Sequence, residues 1–223
     1  MLTLGSTVLR LLLGMSYQTF DNVIGSSQSG KKWEALKIDS LVKGKSVLDV
    51  GCNEGYFCQR VQTMGATRIL GVDLESSWIE KAKKRNSNAN IEFRQLDWNH
   101  LSTLGETFNV VLLLSSFHYA CETSDFEADG SNKLINAITK VLSPGGLLVL
   151  ECGVAAGDSD AWVSVQRCAD TRRFPTLAAI LKLLKRAFAG DTVCSDVRCV
   201  GSSVTQTGDP TPRYVFHCRK AST

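Results

Sequence analysis

Short apolar runs alternate with helical periodicity along most of the chain from residue 46 onward. Five of these runs have the length of buried strands, at residues 46–50, 68–73, 91–94, 108–114 and 147–152. The segments between them place apolar residues three and four positions apart, which predicts amphipathic helices. Strands that alternate with helices in this way are typical of a parallel α/β sheet.

The helices between the strands are expected to pack on the sheet through one apolar face each. The expected core positions are Phe57, Val61, Met64, Trp78, Ile79, Ala82, Leu134, Ile135, Ile138, Val141 and Leu142. A Ser-Pro-Gly-Gly turn at residues 143–146 ends the third of these helices before the fifth strand, because proline and glycine are strong breakers.

The alternation changes after the fifth strand. Residues 154–176 are predicted to form a long loop or a short helical insert, and loops of this length are usually functional. Two further strands, at residues 192–200 and 213–219, are joined by a connection too short for a crossover helix, so an antiparallel hairpin is expected. A last helix precedes them, with one apolar face formed by Leu177, Ile180, Leu181, Leu184 and Phe188.

Length and composition exclude several classes of protein. The 223 residues are 43% hydrophobic and 21% charged, which is ordinary for a globular domain and excludes a coiled coil or a disordered chain. The net charge of +3 is too small to identify a partner. No apolar run reaches the ~20 residues of a membrane-spanning helix, so no transmembrane segment is predicted.

The chain is predicted to form one domain with a core at residues 44–219 and cap helices at residues 1–40. The apolar residues 1–15 contain Arg10 inside the run and no small-residue cleavage site, so they resemble an amphipathic helix more than a signal peptide. This helix either packs on the body, covers a substrate entrance, forms a dimer contact or touches a membrane surface. Residues 120–130 and 154–176 are the expected substrate loops.

Eight cysteines are present, but no C-x-x-C pair occurs. Free thiols in a reducing, cytoplasmic compartment are therefore expected. Asp125, Glu127 and Asp129 alternate in one loop, where an exposed acidic loop is a commoner arrangement than a metal site. No metal is predicted.

The residues that follow the first strand are the most informative ones. Asp49 ends the strand, and Gly51 and Gly55 allow the backbone to approach a ligand closely at the start of a helix. The second strand ends in Asp73, where a carboxylate can bind both hydroxyls of a ribose. The dinucleotide fingerprint G-x-G-x-x-G fails because no third glycine follows Gly55 at the required spacing.

These residues resemble the class I S-adenosylmethionine-dependent methyltransferases, whose motif is an acid followed by glycines at alternate positions. Asp49, Gly51 and Gly55 match, whereas Asn53 stands where the middle glycine usually lies. Asparagine tolerates a left-handed backbone better than most residues. The resemblance covers residues 30–219 and implies a Rossmann-like, doubly wound, seven-stranded α/β sheet with order 3-2-1-4-5-7-6 and the last strand antiparallel.

The resemblance also implies S-adenosylmethionine as the cofactor and assigns residues to it. Asp73 matches the acid that binds the ribose, and Asp97 with Trp98 matches the acid and apolar flank near the adenine. The implied cofactor-binding residues are Asp49, Gly51, Cys52, Asn53, Gly55, Tyr56, Phe57, Asp73, Leu74, Asp97, Trp98 and Ser115. His118 is the candidate general base, since imidazole titrates near neutrality, and Tyr119 is the candidate acceptor contact.

The acceptor stays open at this point. Residues 44–57 and the Gly65-Ala66 pair also resemble the tRNA wobble-uridine (carboxy)methyltransferases. A tRNA enzyme needs a broad basic face, and the net charge is only +3, so a small-molecule or glycan oxygen or nitrogen is the favoured acceptor. The alternatives are tRNA modification and a cofactor-binding, non-catalytic subunit of a partner. Monomer and homodimer are both compatible with the sequence.

Overall fold

The computed structural model describes residues 16–20, 27–86, 90–120, 130–156, 162–166, 171–188, 196–204 and 210–222. The helix predicted at residues 1–15, the acidic loop at Asp125, Glu127 and Asp129, and parts of both expected substrate loops lie outside these residues.

A seven-stranded sheet with the order β3-β2-β1-β4-β5-β9-β8 forms the centre of the molecule. Its strands are β1 Ser46–Val50, β2 Arg68–Asp73, β3 Ile91–Gln95, β4 Phe108–Leu114, β5 Leu142–Gly153, β8 Asp196–Val204 and β9 Pro210–Arg219. The first five strands are parallel to one another, and β9 pairs antiparallel with both β5 and β8. The predicted order and the antiparallel last strand are confirmed, because β8 and β9 are the sixth and seventh strands of that prediction.

Helices cover both faces of this sheet, as expected for a doubly wound fold. The α-helices are α1 Ser29–Leu36, α2 Asp39–Val42, α3 Tyr56–Thr63, α4 Ser76–Arg85, α5 Gly130–Val141 and α6 Leu177–Phe188. One buried cluster joins α5 and α6 to the sheet, and a second cluster joins α1, α3 and α4 to the opposite face. The last helix differs slightly from its prediction, since Ala179 and Leu183 are buried whereas Leu177 and Leu181 are only partly buried.

Residues 154–176 contain an element that the sequence analysis missed. A separate two-stranded sheet of β6 Trp162–Gln166 and β7 Thr171–Pro175 forms there, with the strands antiparallel. The prediction of a loop or a short helical insert is therefore wrong for the described part of this segment. The hairpin is anchored in the body by Phe174, which is fully buried.

The fifth strand starts earlier than predicted. The helix α5 ends at Val141 and β5 begins directly at Leu142. The pairing with β4 then jumps from Phe108–Leu142 to Val110–Leu147, so residues 143–146 form an irregularity in the strand. Gly145 has a φ of +69°, which glycine adopts at no steric cost.

In the described residues, no helix combines the length and the apolar character that crossing a bilayer requires.

Candidate cofactor and active site

The turn between β1 and α3 brings the backbone to the carboxyl edge of the sheet. The N–H groups of Gly51 and Cys52 both donate to the Val72 carbonyl, at 2.8 and 3.0 Å, which ties the turn to β2. Gly51 has a φ of +79°, and a Cβ there would lie 2.9 Å from Ser116 Oγ. Any other residue at position 51 would therefore have a strained backbone, and its side chain would collide with Ser116, which follows β4.

Asn53 connects this turn to the acid at the end of β2. Its backbone N–H donates to Asp73 Oδ2 at 2.9 Å, and the Glu75 N–H donates to Asp73 Oδ1 at 3.1 Å. Burial raises the pKa of Asp73, and these backbone hydrogen bonds oppose the rise. Each carboxylate oxygen keeps a further lone pair, so Asp73 can still accept hydrogen bonds from two ribose hydroxyls.

The surroundings of Asp73 suit the rest of an adenosine. Leu74 is 59% exposed immediately after the acid, and Asp97 and Trp98 are partly exposed beyond β3. Asp97 Oδ1 accepts the backbone N–H of Asn99 at 2.8 Å, which holds its carboxylate at the start of a short 3₁₀ helix, Trp98–Leu104. The ends of the adjacent strands β2 and β3 thus carry one apolar side chain, Leu74, and two carboxylates, Asp73 and Asp97. An apolar surface suits an adenine ring, and carboxylates suit the hydroxyl and amino groups of an adenosine.

Asp49 lies deeper than a direct ligand contact would need. It is 1% exposed, and the Cys58 thiol donates to its Oδ2 at 3.4 Å. Burial raises its pKa to about 7. The side chains of Cys52, Tyr56 and Phe57 are buried as well. For these predicted cofactor residues, it is therefore the backbone of the turn, and not the side chains, that is available to a ligand.

A polar cluster around the buried Glu151, at the ends of β4 and β5, includes two partly buried residues that sequence analysis missed, Lys32 and Arg213. Arg213 Nε donates to Glu151 Oε1 at 2.6 Å, and its Nη2 donates to Ser115 Oγ at 2.8 Å. Lys32 Nζ donates to Ser115 Oγ and lies 3.5 Å from Glu151 Oε2. These residues come from α1, the residue after β4, β5 and β9, so only the tertiary fold brings them together.

Neighbouring charges shift the pKa values of Glu151 and Lys32 in this cluster. Burial alone would raise the pKa of Glu151, but Arg213 and Lys32 more than offset this effect and hold the pKa at about 2. Burial lowers the pKa of Lys32, while Glu151 opposes the change. Ser115, at the centre of the cluster, has a positive φ of 59°, which is uncommon for a serine and typical of strained functional positions.

The two predicted catalytic residues lie on the 3₁₀ turn Phe117–Ala120 that follows β4. His118 is buried, with its ring centroid 4.2 Å from the Tyr119 ring and 5.7 Å from the Phe174 ring. Tyr119 is 49% exposed. The hairpin of β6 and β7 therefore reaches the catalytic candidates through Phe174, and Tyr119 presents its ring to solvent at the same edge.

The structure brings Asn53, Asp73, Ser115 and the glycine turn to one edge of the sheet, and His118 and Tyr119 follow Ser115 after the same strand, β4. Among the described residues, no group of three or more His, Cys, Asp or Glu side chains has the arrangement of a metal site. Cys52, Cys58 and Cys152 are buried and form no disulfide bond.

This fold and turn define a Rossmann-like protein of the kind that binds S-adenosylmethionine. Residues 47–146 match the methyltransferase domain family. Residues 47–146 are therefore similar to a methyltransferase domain, as the sequence resemblance predicted, and S-adenosylmethionine is the cofactor that this similarity supports. The residues around Asp73 fit its adenosine part, because they offer free lone pairs and an exposed apolar side chain.

Among curated proteins, the chain is similar to the tRNA U34 carboxymethyltransferase of Pseudomonas fluorescens (strain SBW25). The two are 30% identical over 187 residues, which is 80% of this chain and 54% of that protein. The chain thus spans about half the length of the curated relatives it matches.

Two solved structures share the fold. An S-adenosylmethionine-dependent methyltransferase from Mesorhizobium loti superposes with a TM-score of 0.63 at 19% identity, over 85% of this chain and 98% of that one. The N-methyltransferase NodS from Bradyrhizobium japonicum WM9, in complex with S-adenosyl-L-homocysteine, gives a TM-score of 0.60 at 18% identity, over 86% and 87%.

Proposed function

We propose that the protein transfers the methyl group of S-adenosylmethionine to an oxygen or nitrogen atom of an acceptor beside His118 and Tyr119. The observation that carries this proposal is the pairing of Asn53 N–H with Asp73 Oδ2 at 2.9 Å. It holds a carboxylate at the mouth of the glycine turn within the methyltransferase domain.

The protein's part in the reaction is mainly positioning. When bound, S-adenosylmethionine supplies a sulfonium methyl group that is already activated for transfer. Asp73 and the turn hold the adenosine end, and Ser115 with the 3₁₀ turn at residues 117–120 lines the acceptor side. Alignment and exclusion of water then supply most of the rate enhancement.

His118 is the proposed general base for an acceptor that must lose a proton. Its ring lies against Tyr119 and Phe174, which fixes the orientation of the imidazole. Tyr119 would hydrogen-bond the acceptor through its exposed hydroxyl end. Replacement of His118 by alanine should then lower kcat with little change in cofactor affinity, whereas a purely structural His118 would affect both.

Titration calorimetry of S-adenosylmethionine tests the cofactor site. The wild type should bind saturably and should not bind NAD. Asp73→Ala should weaken binding by about tenfold or more, which is ~1.4 kcal/mol, while Glu80→Ala serves as the control because Glu80 is an exposed acid on α4. An unchanged affinity of Asp73→Ala would contradict the assigned ribose site, and binding without any transfer would favour the non-catalytic subunit.

For the acceptor, two classes are proposed. The modest net charge favours a small molecule or a glycan, whereas the name of the curated relatives supports tRNA. A tRNA acceptor predicts retention on tRNA that weakens steeply between ~50 and 200 mM salt. Salt-independent or absent retention, together with methylation in a small-molecule screen, would favour the first class.

The relatives' name also mentions a carboxymethyl group, which differs from methyl by one carboxylate. Lys32 and Arg213 place two cations against the single carboxylate of Glu151 beside Ser115. This excess of positive charge supports, as a second candidate, a donor whose transferred group is anionic. Lys32→Met should then weaken binding of the S-carboxymethyl analogue of the cofactor more than binding of S-adenosylmethionine itself, whereas equal losses would contradict this candidate.

A further inference from the structure

One glutamine from outside the sheet spans the cofactor turn. Gln18 Oε1 accepts the backbone N–H of Tyr56 at 3.0 Å, and Gln18 Nε2 donates to the Cys52 carbonyl at 3.4 Å. The first N–H groups of a helix have no partner within the helix, and Gly55 at the N-cap position of α3 has no side chain to cap them. Gln18, which is 4% exposed, therefore replaces the missing cap and joins the two ends of the turn.

A second link involves a carboxylate within the turn itself. Glu54 is fully buried, although it belongs to the short connection between Gly51 and Gly55. Ser16 Oγ donates to Glu54 Oε2, while Lys81 Nζ lies 3.6 Å from Oε1 and Arg85 Nη2 lies 3.9 Å from Oε2. Because an unpaired buried carboxylate is costly, Glu54 favours the state in which these groups from two elements are all in place.

The same short segment is also fixed by ring contacts. The Phe20 ring lies edge-on to the Tyr56 ring, with centroids 5.6 Å apart, and the Arg85 guanidinium lies 4.7 Å from the Phe20 centroid. Arg85 thus contacts both Phe20 and Glu54. Residues 16–20, here called the strap, consequently hold the outer side of the turn against α3 and α4.

We propose that Gln18 is a positioning residue for the cofactor and that docking of the strap is coupled to cofactor binding. This inference rests on the proposed binding of S-adenosylmethionine at the turn. The strap holds the turn in the conformation that presents Asn53 and Gly51 to the ligand, so an undocked strap leaves that conformation less populated. Thermodynamic coupling is reciprocal. If docking of the strap raises the affinity for the cofactor by some factor, bound cofactor must raise the docking equilibrium of the strap by the same factor.

The experiment measures both sides of this coupling on the full chain. Calorimetry gives the affinity for S-adenosylmethionine, and hydrogen–deuterium exchange gives the protection of residues 16–20 with and without the cofactor. Gln18→Ala should weaken binding by about tenfold, and the cofactor-induced protection of the strap seen in the wild type should shrink. The matched control is Gln62→Ala, a glutamine on α3 that is only partly buried, which should change neither quantity.

Ser16→Ala removes one hydroxyl, which contacts both Glu54 and the Gln18 carbonyl, so it tests the proposal even if Gln18→Ala does not fold. It should weaken binding in the same direction, and Ser102→Ala, at an exposed serine, should not. Wild-type affinity in both strap variants, or strap protection that is indifferent to the cofactor, would overturn the coupling and leave the proposed function intact. Failure of the wild type to bind S-adenosylmethionine would instead overturn the proposed function.

Discussion

At the scale of single residues, Asn53 shows how the turn functions without its usual middle glycine. Its φ of +52° lies in the left-handed region, and its Oδ1 accepts the Glu54 N–H at 2.9 Å. Asparagine visits this region readily because its short polar side chain can form such local hydrogen bonds. The departure from the glycine pattern is therefore compatible with the same backbone path.

This reasoning predicts a rank order for substitutions at position 53. Asn53→Gly loses the side-chain hydrogen bond but keeps the backbone freedom, so its stability should stay close to that of the wild type. Asn53→Ala loses both and should be destabilised by about 1–2 kcal/mol, the cost of a left-handed conformation for an ordinary residue. Urea unfolding measures this, and equal stabilities of the glycine and alanine variants would show that the backbone conformation is not the determining factor.

Asp49 predicts a stability that depends on pH. Burial raises its pKa in the folded protein to about 7, above the value of about 3.9 expected for an unfolded chain. The unfolded chain therefore ionises first, and stability decreases as the pH rises from about 4 to 7. The loss is on the order of 1 kcal/mol for each unit of pKa difference.

Asp49→Asn removes this titration while keeping the shape of the side chain. Relative to the wild type, the variant should gain stability between pH 5 and pH 8 in urea unfolding. Glu34→Gln, at an exposed position on α1, should show no such trend. A difference between wild type and Asp49→Asn that stays constant with pH would contradict the assignment of the buried carboxyl.

Glu151 should behave in the opposite way. Although burial favours its neutral form, Arg213 and Lys32 hold its pKa at about 2. Its contribution to stability is then fully present above the unfolded pKa of about 4.3 and is lost as the pH falls toward 2. Glu151→Gln should cost up to about 3 kcal/mol at pH 7, because it leaves two partly buried cations without their counter-charge.

A double variant tests whether the charge is the cause. Lys32→Met combined with Glu151→Gln should be more stable than Glu151→Gln alone, since one of the two uncompensated cations is removed. Urea unfolding at pH 7 and pH 4 gives both values, and the deficit of Glu151→Gln should be smaller at pH 4. Strict additivity of the two substitutions would show that Lys32 and Glu151 do not interact energetically.

At the scale of elements, hydrophobic periodicity was sufficient to predict the order of the main strands and helices. Continuous apolar runs such as 108–114 are typical of strands buried on both faces, and β4 is one. The hairpin of β6 and β7 was missed because β7 contains two adjacent arginines and ends in a proline, which weaken a strand signal. The alternation in Val163-Ser164-Val165 of β6 is a strand signal, but it has no matching partner pattern in the sequence.

The sequence predicted only those residues of the candidate site that lie directly after a strand. The turn at Gly51 and Gly55 and the acid Asp73 lie directly after strands, so their meeting at one edge follows from the parallel topology. Lys32, Arg213 and Gln18 lie far from these residues in the chain and join them through tertiary packing. A lone lysine or glutamine has no spacing that marks it, and its role becomes visible only from its partners.

At the scale of the whole molecule, both ends of the described chain contact the carboxyl edge of the sheet beside Gly51, Asp73 and Ser115, here called the cofactor edge. The α1 helix contributes Lys32, and β9 contributes Arg213 to the same carboxylate. His217 on β9 also contacts the Leu36 carbonyl through its Nε2 at 3.1 Å. The cofactor edge therefore forms only when the outer elements are packed, so ligand binding and global folding should be linked.

This linkage predicts a thermal shift. A ligand that binds only the folded state at about 100 times its Kd stabilises it by about 2.7 kcal/mol, and each kcal/mol raises the Tm of a domain of this size by about 2–4 °C. S-adenosylmethionine should thus raise the Tm by about 5–10 °C at that concentration. NAD should produce no shift, and Asp73→Ala should lose about half of the effect at the same cofactor concentration, because a tenfold weaker ligand leaves about 1.4 kcal/mol of stabilisation. A wild-type Tm that ignores S-adenosylmethionine would show that the cofactor edge is not coupled to the fold. A full shift in Asp73→Ala would place the ribose contact elsewhere on that edge.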